Sequence, residues 1–120
     1  MKAKKKFFME CHLAGRQYHD ADDVWEQLKV GRVLRLERDY DNRYDNNAVA
    51  VMFDEDPKEG EAMGESFLLG YIPSDDNEII ASMLEMGWNK LFECRICKIN
   101  ADAHYENQVR LSIKILRNNE

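Results

Sequence analysis

The run QVRLSIKIL, Gln108 to Leu116, alternates Val109, Leu111, Ile113 and Ile115 with Arg110, Ser112 and Lys114 without a break. Successive side chains of a strand point to opposite faces, so this period of two demands an extended segment with one face in a core and one in water. A helix would scatter the same isoleucines around its axis. The pattern recurs along the chain. Leu34 and Leu36 alternate with Val33, Arg35 and Glu37, and Val49, Val51 and Phe53 share one face of AVAVMF. KFFMECHLAG, SFLLGYIP and LFECRICKI supply further short runs, the second closed by Pro73. The count is about six strands, a strand-dominated chain.

Two segments depart from this period. Asp20 or Asp22 can cap a short helix that places Val24, Trp25 and Leu28 on one face, with Gly31 to stop it. Asp75 followed by Glu78 reads as a capping box ahead of Ile79, Ile80, Met83 and Leu84, and Gly87 ends that helix. Strand and helix never alternate regularly, which argues against a doubly wound parallel fold. The expectation is a mainly β, α+β chain: a small six-stranded antiparallel barrel with two helices. A length of 120 residues makes this a single domain, 1–120, with its core from about 7 to 117.

Charge and cysteine content narrow the function. A net charge of -6 opposes nonspecific attraction to phosphate backbones, so any nucleic-acid role must rest on a local patch. Much of the acid is gathered in DEDPKEGEAMGE, Asp54 to Glu65, a solvated loop. Lys2 and Lys4 to Lys6 make a basic start, but the FFM that follows is too short for a signal peptide, so a cytoplasmic protein is expected. Three cysteines, an odd number, point to reduced thiols. Cys94 and Cys97 have a CxxC spacing, yet on a strand they face opposite ways, as do Cys11 and His12; inert thiols are expected rather than zinc. Asp39, Asp41 and Asp45 lack the glycine and glutamate of a calcium loop, and Arg43 stands where a ligand should be. His12, His19 and His104 are dispersed, with no nucleophile elbow and no phosphate-cradling glycine loop. The expectation is a nonenzymatic domain without metal or cofactor.

What needs explaining is RDYDNRYDNNAVAV, Arg38 to Val51. It holds two tyrosines with several aspartates and asparagines before a clean strand, yet no glycine, proline or Asn-Gly pair of the sort that simply reverses a chain. Arg16, Gln17, Tyr18 and His19 follow the first strand, and His104 and Tyr105 lie in the last loop. Two readings stay open on residue types. Tyrosine faces can stack on nucleobases while Arg16 forks onto a phosphate, which suits a single strand. Alternatively, Tyr18 and Tyr44 plug the barrel end while Asp45 and Asn47 satisfy backbone groups of a tight turn. Asn46 and Asn47 are expected to do turn chemistry.

Three pieces together resemble a HIRAN domain: AGRQYHDA (Ala14 to Ala21), RDYDNRYDNNAVAV, and LGYIPSDDNEIIASML (Leu69 to Leu84). The resemblance implies an OB-like barrel with two helices and a pocket for the 3′-hydroxyl end of single-stranded DNA, in a DNA-repair or replication-fork context. It assigns Arg16 to a phosphate, Tyr44 to stacking on the terminal bases, Asp45 to accepting the 3′-hydroxyl, and Asn42 to the same pocket. An ionised carboxylate accepts a hydroxyl proton but repels a phosphate, so one aspartate can tell an end from the middle of a strand. Two positions depart from the pattern: Gln17 replaces a second stacking tyrosine, with Tyr18 beside it to take over, and Ser74 stands near a backbone-binding lysine. A lost stack is worth about 1–3 kcal/mol. The expected partner is therefore single-stranded DNA bound weakly, with a helicase-like or repair protein as a further partner. The alternative is a protein-interaction or accessory domain that keeps the barrel with little DNA affinity.

Overall fold

The computed structural model describes residues 2–119. Six strands form, β1 (Lys5–His12), β2 (Val33–Arg38), β3 (Val49–Asp54), β4 (Ser66–Tyr71), β5 (Phe92–Ile99) and β6 (Val109–Leu116). They make one sheet in the order β1-β6-β5-β2-β3-β4, with every pairing antiparallel. The alternation read in β6 is observed as far as Ile113: Val109, Leu111 and Ile113 are buried and Arg110, Ser112 and Lys114 half-exposed, whereas Ile115, expected inward, is half-exposed near the strand's end. Val49, Val51, Phe53, Leu69, Ile96 and Ile113 meet in the core. Each such side chain contributes about 1.5–3 kcal/mol relative to exposure.

The sheet curls because its two outer strands meet beyond their ladders. Ala14, just past β1, forms an isolated bridge with Tyr71 at the end of β4. Each backbone N–H donates to the other's carbonyl at 2.9 Å. The approach is close enough to dictate the neighbouring residue: a Cβ at Gly70 would lie 2.4 Å from the Ala14 carbonyl oxygen. Glycine at 70 is the condition for this closure. Gly15 then turns the chain in the left-handed region, with φ 70°, into the segment that carries Arg16.

Both helical segments form, with corrections to how they start. The first is a 3₁₀ helix, Asp20–Gln27, in which neither Asp20 nor Asp22 caps the N-terminus; His19 occupies that position. Its repeat of three stacks Ala21 and Val24 on the buried side, and Asp22 is drawn to Arg16 instead. The second, α1 (Glu78–Glu85), has Asn77 at its N-cap position and no side-chain capping bond, so the Asp75–Glu78 capping box does not form. The buried stripe is Asn77, Ile80, Ala81 and Leu84, spaced i, i+3, i+4 and i+7. Ile79 and Met83, expected on that face, are exposed because the stripe begins one turn earlier, on a polar residue.

Among the described residues no helix is long and apolar enough to cross a membrane. Cys94 is buried and Cys97 is half-exposed, as alternation along β5 requires. The Cys97 Sγ lies 3.5 Å from Glu10 Oε1, so this thiol, unlike Cys11 and Cys94, is not a core residue. Burial pushes the Cys11 thiol up to about 12, with the nearby Asp76 charge adding to it, and burial likewise raises Cys94 and Cys97.

Candidate nucleic-acid interface

The crowded loop between β2 and β3 is held by its own side chains. Its stem closes with the Asp39 N–H donating to the Ala48 carbonyl at 3.0 Å. Asp39 Oδ1 accepts from the Asp41 N–H at 3.2 Å. Asn42 Oδ1 accepts from the N–H groups of both Tyr44 and Asp45, at 2.9 and 3.1 Å, and Asp45 Oδ1 accepts from the Asn47 N–H at 2.8 Å. These are Asx turns in series, which shape a backbone without glycine. Arg38 fastens the outside by donating to the carbonyls of Ala48 and Asn46 while its guanidinium lies 4.6 Å over the Tyr40 ring. The turn chemistry therefore belongs to the side chains of Asp39, Asn42 and Asp45. Asn46 and Asn47, expected in that role, contribute backbone groups.

All three motif pieces converge on Tyr71. Its hydroxyl donates to Asp39 Oδ2 at 2.6 Å, its ring meets the edge of His19 at 5.4 Å, and its backbone bridges Ala14. Burial, with the Asp39 carboxylate as its partner, pushes the Tyr71 phenol up to about 12, so it stays a donor at neutral pH. A second tie runs from the buried Asn77, whose Nδ2 donates to Asp45 Oδ2 at 2.7 Å. Both Asp45 oxygens thus hold structure, although a carboxylate has further acceptor sites beyond two bonds. Sequence reasoning singled out neither Tyr71 nor Asn77. The available signals were a tyrosine inside the quoted GYIP and a polar residue opening the α1 stripe.

The remaining expected residues separate by exposure. Tyr44 is 97% exposed and Tyr18 78%, so their rings project from this end of the barrel. Gln17 is half-buried, with its Oε1 unpartnered. Arg16, expected to fork onto a phosphate, is only 3% exposed. Its Nη2 donates to Asp22 Oδ1 at 2.8 Å, and its guanidinium centre lies 4.4 Å from the Trp25 ring and 5.3 Å from the Tyr105 ring. Two aromatic faces and one carboxylate replace water around the cation. They leave Nε and Nη1 buried without an acceptor, an arrangement that costs about 1–3 kcal/mol per donor.

Tyrosine-bearing loops locked to one end of a small β-barrel, beside an arginine with spare donors, are the geometry on which comparison with known proteins bears. The HIRAN domain family model matches residues 6–115. The chain belongs to the HIRAN family. As a HIRAN domain it falls among nucleic-acid-binding modules, and the match spans nearly the whole chain. No curated protein matches it. Among solved structures, a protein from Lactobacillus plantarum superposes with a TM-score of 0.67 at 21% identity, covering 95% of this chain and 97% of the other. At that identity the likeness speaks for the fold alone.

Proposed function

We propose that this HIRAN domain is a nonenzymatic module that binds single-stranded DNA at its 3′-hydroxyl end, in a repair or replication-fork setting. The observation that carries this reading is the combination of two freely projecting tyrosines, Tyr18 and Tyr44, with a hydrogen-bonded carboxylate, Asp45, directly after Tyr44 in its loop. In this reading the rings stack on the last bases. Asp45, held by Asn77 and the Asn47 N–H, accepts the terminal hydroxyl on a remaining lone pair and repels a terminal phosphate. Asn42 fixes the backbone that carries both Tyr44 and Asp45. Arg16 Nε and Nη1 donate to a phosphate once the half-exposed Tyr105 ring swings off the guanidinium, and Gln17 offers its amide beside them.

The test is fluorescence anisotropy at low salt with a 5′-labelled oligonucleotide ending in 3′-hydroxyl, against a 3′-phosphate copy. The hydroxyl end is expected to bind more tightly, and Asp45→Ala to remove the preference. An Asp45→Ala protein that keeps the preference would sink this role for Asp45. One observation favours a second reading, a protein-interaction domain: Arg16 is enclosed and Asp45 already doubly engaged, so the surface offered to a partner is chiefly Tyr18, Tyr40 and Tyr44. Negligible binding to both oligonucleotides would support it.

A further inference from the structure

The opposite end of β1 carries a different surface. A cleft of about 1050 Å³ opens there, lined by Lys2, Lys4, Lys5, Lys90 and Arg117 around Trp88. Among the described residues no carboxylate lines it, in a chain whose net charge is -6. Five of the 17 Lys and Arg side chains gather here, and the basic start of the sequence finds partners from two distant segments. Seven residue steps of strand, about 23 Å, separate Lys5 from His12 and hence this cleft from the Tyr18 and Tyr44 end.

The cleft is built rather than a splay of chain ends. The Leu116 N–H donates to the Leu91 carbonyl at 2.8 Å and the Arg117 N–H to the Lys4 carbonyl at 2.9 Å, joining its walls by backbone bonds. The Arg117 side chain donates to the Ala3 carbonyl through Nε at 2.8 Å, which fixes the guanidinium along the rim. Trp88 follows Gly87, whose φ is 91°, and its N–H donates to the Met83 carbonyl at 3.0 Å. The indole is thus carried on a capped helix end, yet stays 55% exposed. Leu91 and Leu116 supply apolar lining below it. Glu93 holds Lys5 at 2.9 Å, leaving the other cations to set the charge of the cleft.

We propose that this cleft is a second nucleic-acid site, which takes an internal stretch of single strand. Trp88 stacks on a base while Lys2, Lys4, Lys90 and Arg117 follow the phosphates. An exposed indole in a groove whose described lining carries cations and no carboxylate matches a ligand that alternates flat apolar rings with negative charge. The site does not depend on end recognition by Asp45. It would let the domain hold a strand at a distance from its terminus.

The experiment uses a labelled circular single-stranded oligonucleotide, which has no end for the tyrosine site to read. The full chain is expected to bind it at low salt, with quenching of tryptophan emission that disappears in Trp88→Phe, whose remaining tryptophan is Trp25. Trp88→Ala should weaken binding about fivefold to a hundredfold, the equivalent of one base stack. Lys4→Ala with Lys90→Ala should flatten the salt dependence by about 1.4 in log–log slope, two single-strand phosphate contacts. Tyr44→Ala should leave the circle's affinity unchanged while weakening a linear 3′-hydroxyl strand, so failure of the two sites can be told apart. No binding of the circle, or binding indifferent to Trp88→Ala and to the double lysine variant, would overturn the proposal. So would binding to phosphatidylglycerol-containing vesicles with no response to the circle. All four substituted positions lie on the surface, and far-UV circular dichroism checks that the variants fold.

Discussion

Two polar loops flank β3, and they solve the problem of order in opposite ways. The loop from Asp39 to Asn47 satisfies four of its backbone N–H groups with its own Asp and Asn side chains, and it is tied to the sheet and to α1 through Tyr71 and Asn77. The loop from Glu55 to Glu65 is more acidic and is longer. It is closed at its base by the Glu55 N–H to the Glu65 carbonyl at 2.8 Å and has one internal turn, Glu61 to Lys58, at 2.9 Å. Its middle is exposed throughout. Side-chain acceptors aimed at the local backbone make the difference: Asp and Asn reach the N–H two residues on, whereas the glutamates of the second loop are one methylene longer.

The largest effect in this contrast is expected from Asn77→Leu. It keeps an apolar-compatible volume on α1 but removes the donor to Asp45 Oδ2, leaving a half-buried carboxylate short of its partner. Loss of a bond to a charged acceptor costs about 1.5–3 kcal/mol, which urea unfolding would register. Native-state hydrogen exchange should quicken at the amides of Tyr44, Asp45 and Asn47. Unchanged protection there would mean that the Asx turns alone hold the loop.

How far this contrast was readable beforehand depends on the range of the interactions involved. The strands were legible because a period of two is a local signal, and β6 displays it from Val109 to Lys114. The existence of both helices was legible too, but not their starts. Whether Asp22 caps its helix or pairs with Arg16 is decided by a contact outside the helix. Asn77 likewise reads as a surface residue until the tyrosine loop is folded against it. The same holds at the site. The resemblance marked Arg16, Tyr44 and Asp45, but burial of Arg16 under Trp25 and Tyr105 joins three separate segments, and no spacing rule reports it. The Ala14–Tyr71 bridge is also nonlocal, and its one sequence trace is the glycine at 70.

Tyr71→Phe probes the other tie with a smaller expected effect. Removing the hydroxyl deprives Asp39 Oδ2 of its donor at a part-buried position, about 1 kcal/mol at neutral pH. Alkaline pH gives the sharper reading. The phenol sits near 12 in the folded chain against an ordinary 10.0, so its contribution is complete below pH 10 and is lost as pH rises toward 12. The unfolded chain releases that proton first, and stability falls across that interval. Comparing urea midpoints at pH 9 and pH 11 should show a decline in the native protein that is partly absent in Tyr71→Phe. Parallel declines would place the alkaline sensitivity elsewhere, with the buried thiol of Cys11, also raised to about 12, as the next group to replace.

The smallest effect is expected where the contrast predicts indifference. Replacing residues Pro57 to Met63 by a Gly-Ser run of the same length leaves the Glu55–Glu65 closure intact, along with the tight approach of Gly64 to the Glu55 carbonyl. It removes no core contact, since Met63, the one large apolar side chain in the run, is 81% exposed. Surface substitutions free of such ties stay within about 0.5 kcal/mol, and equal length keeps the closure entropy of the loop nearly constant. Hydrogen exchange in the tyrosine loop should be unaltered, because the two loops share only the strand between them. A loss above about 1 kcal/mol, a size tied to lost caps or buried contacts, would mean that the acidic loop holds order through contacts of its own. The distinction would then lie in which surface each loop grips, and not in whether it grips one.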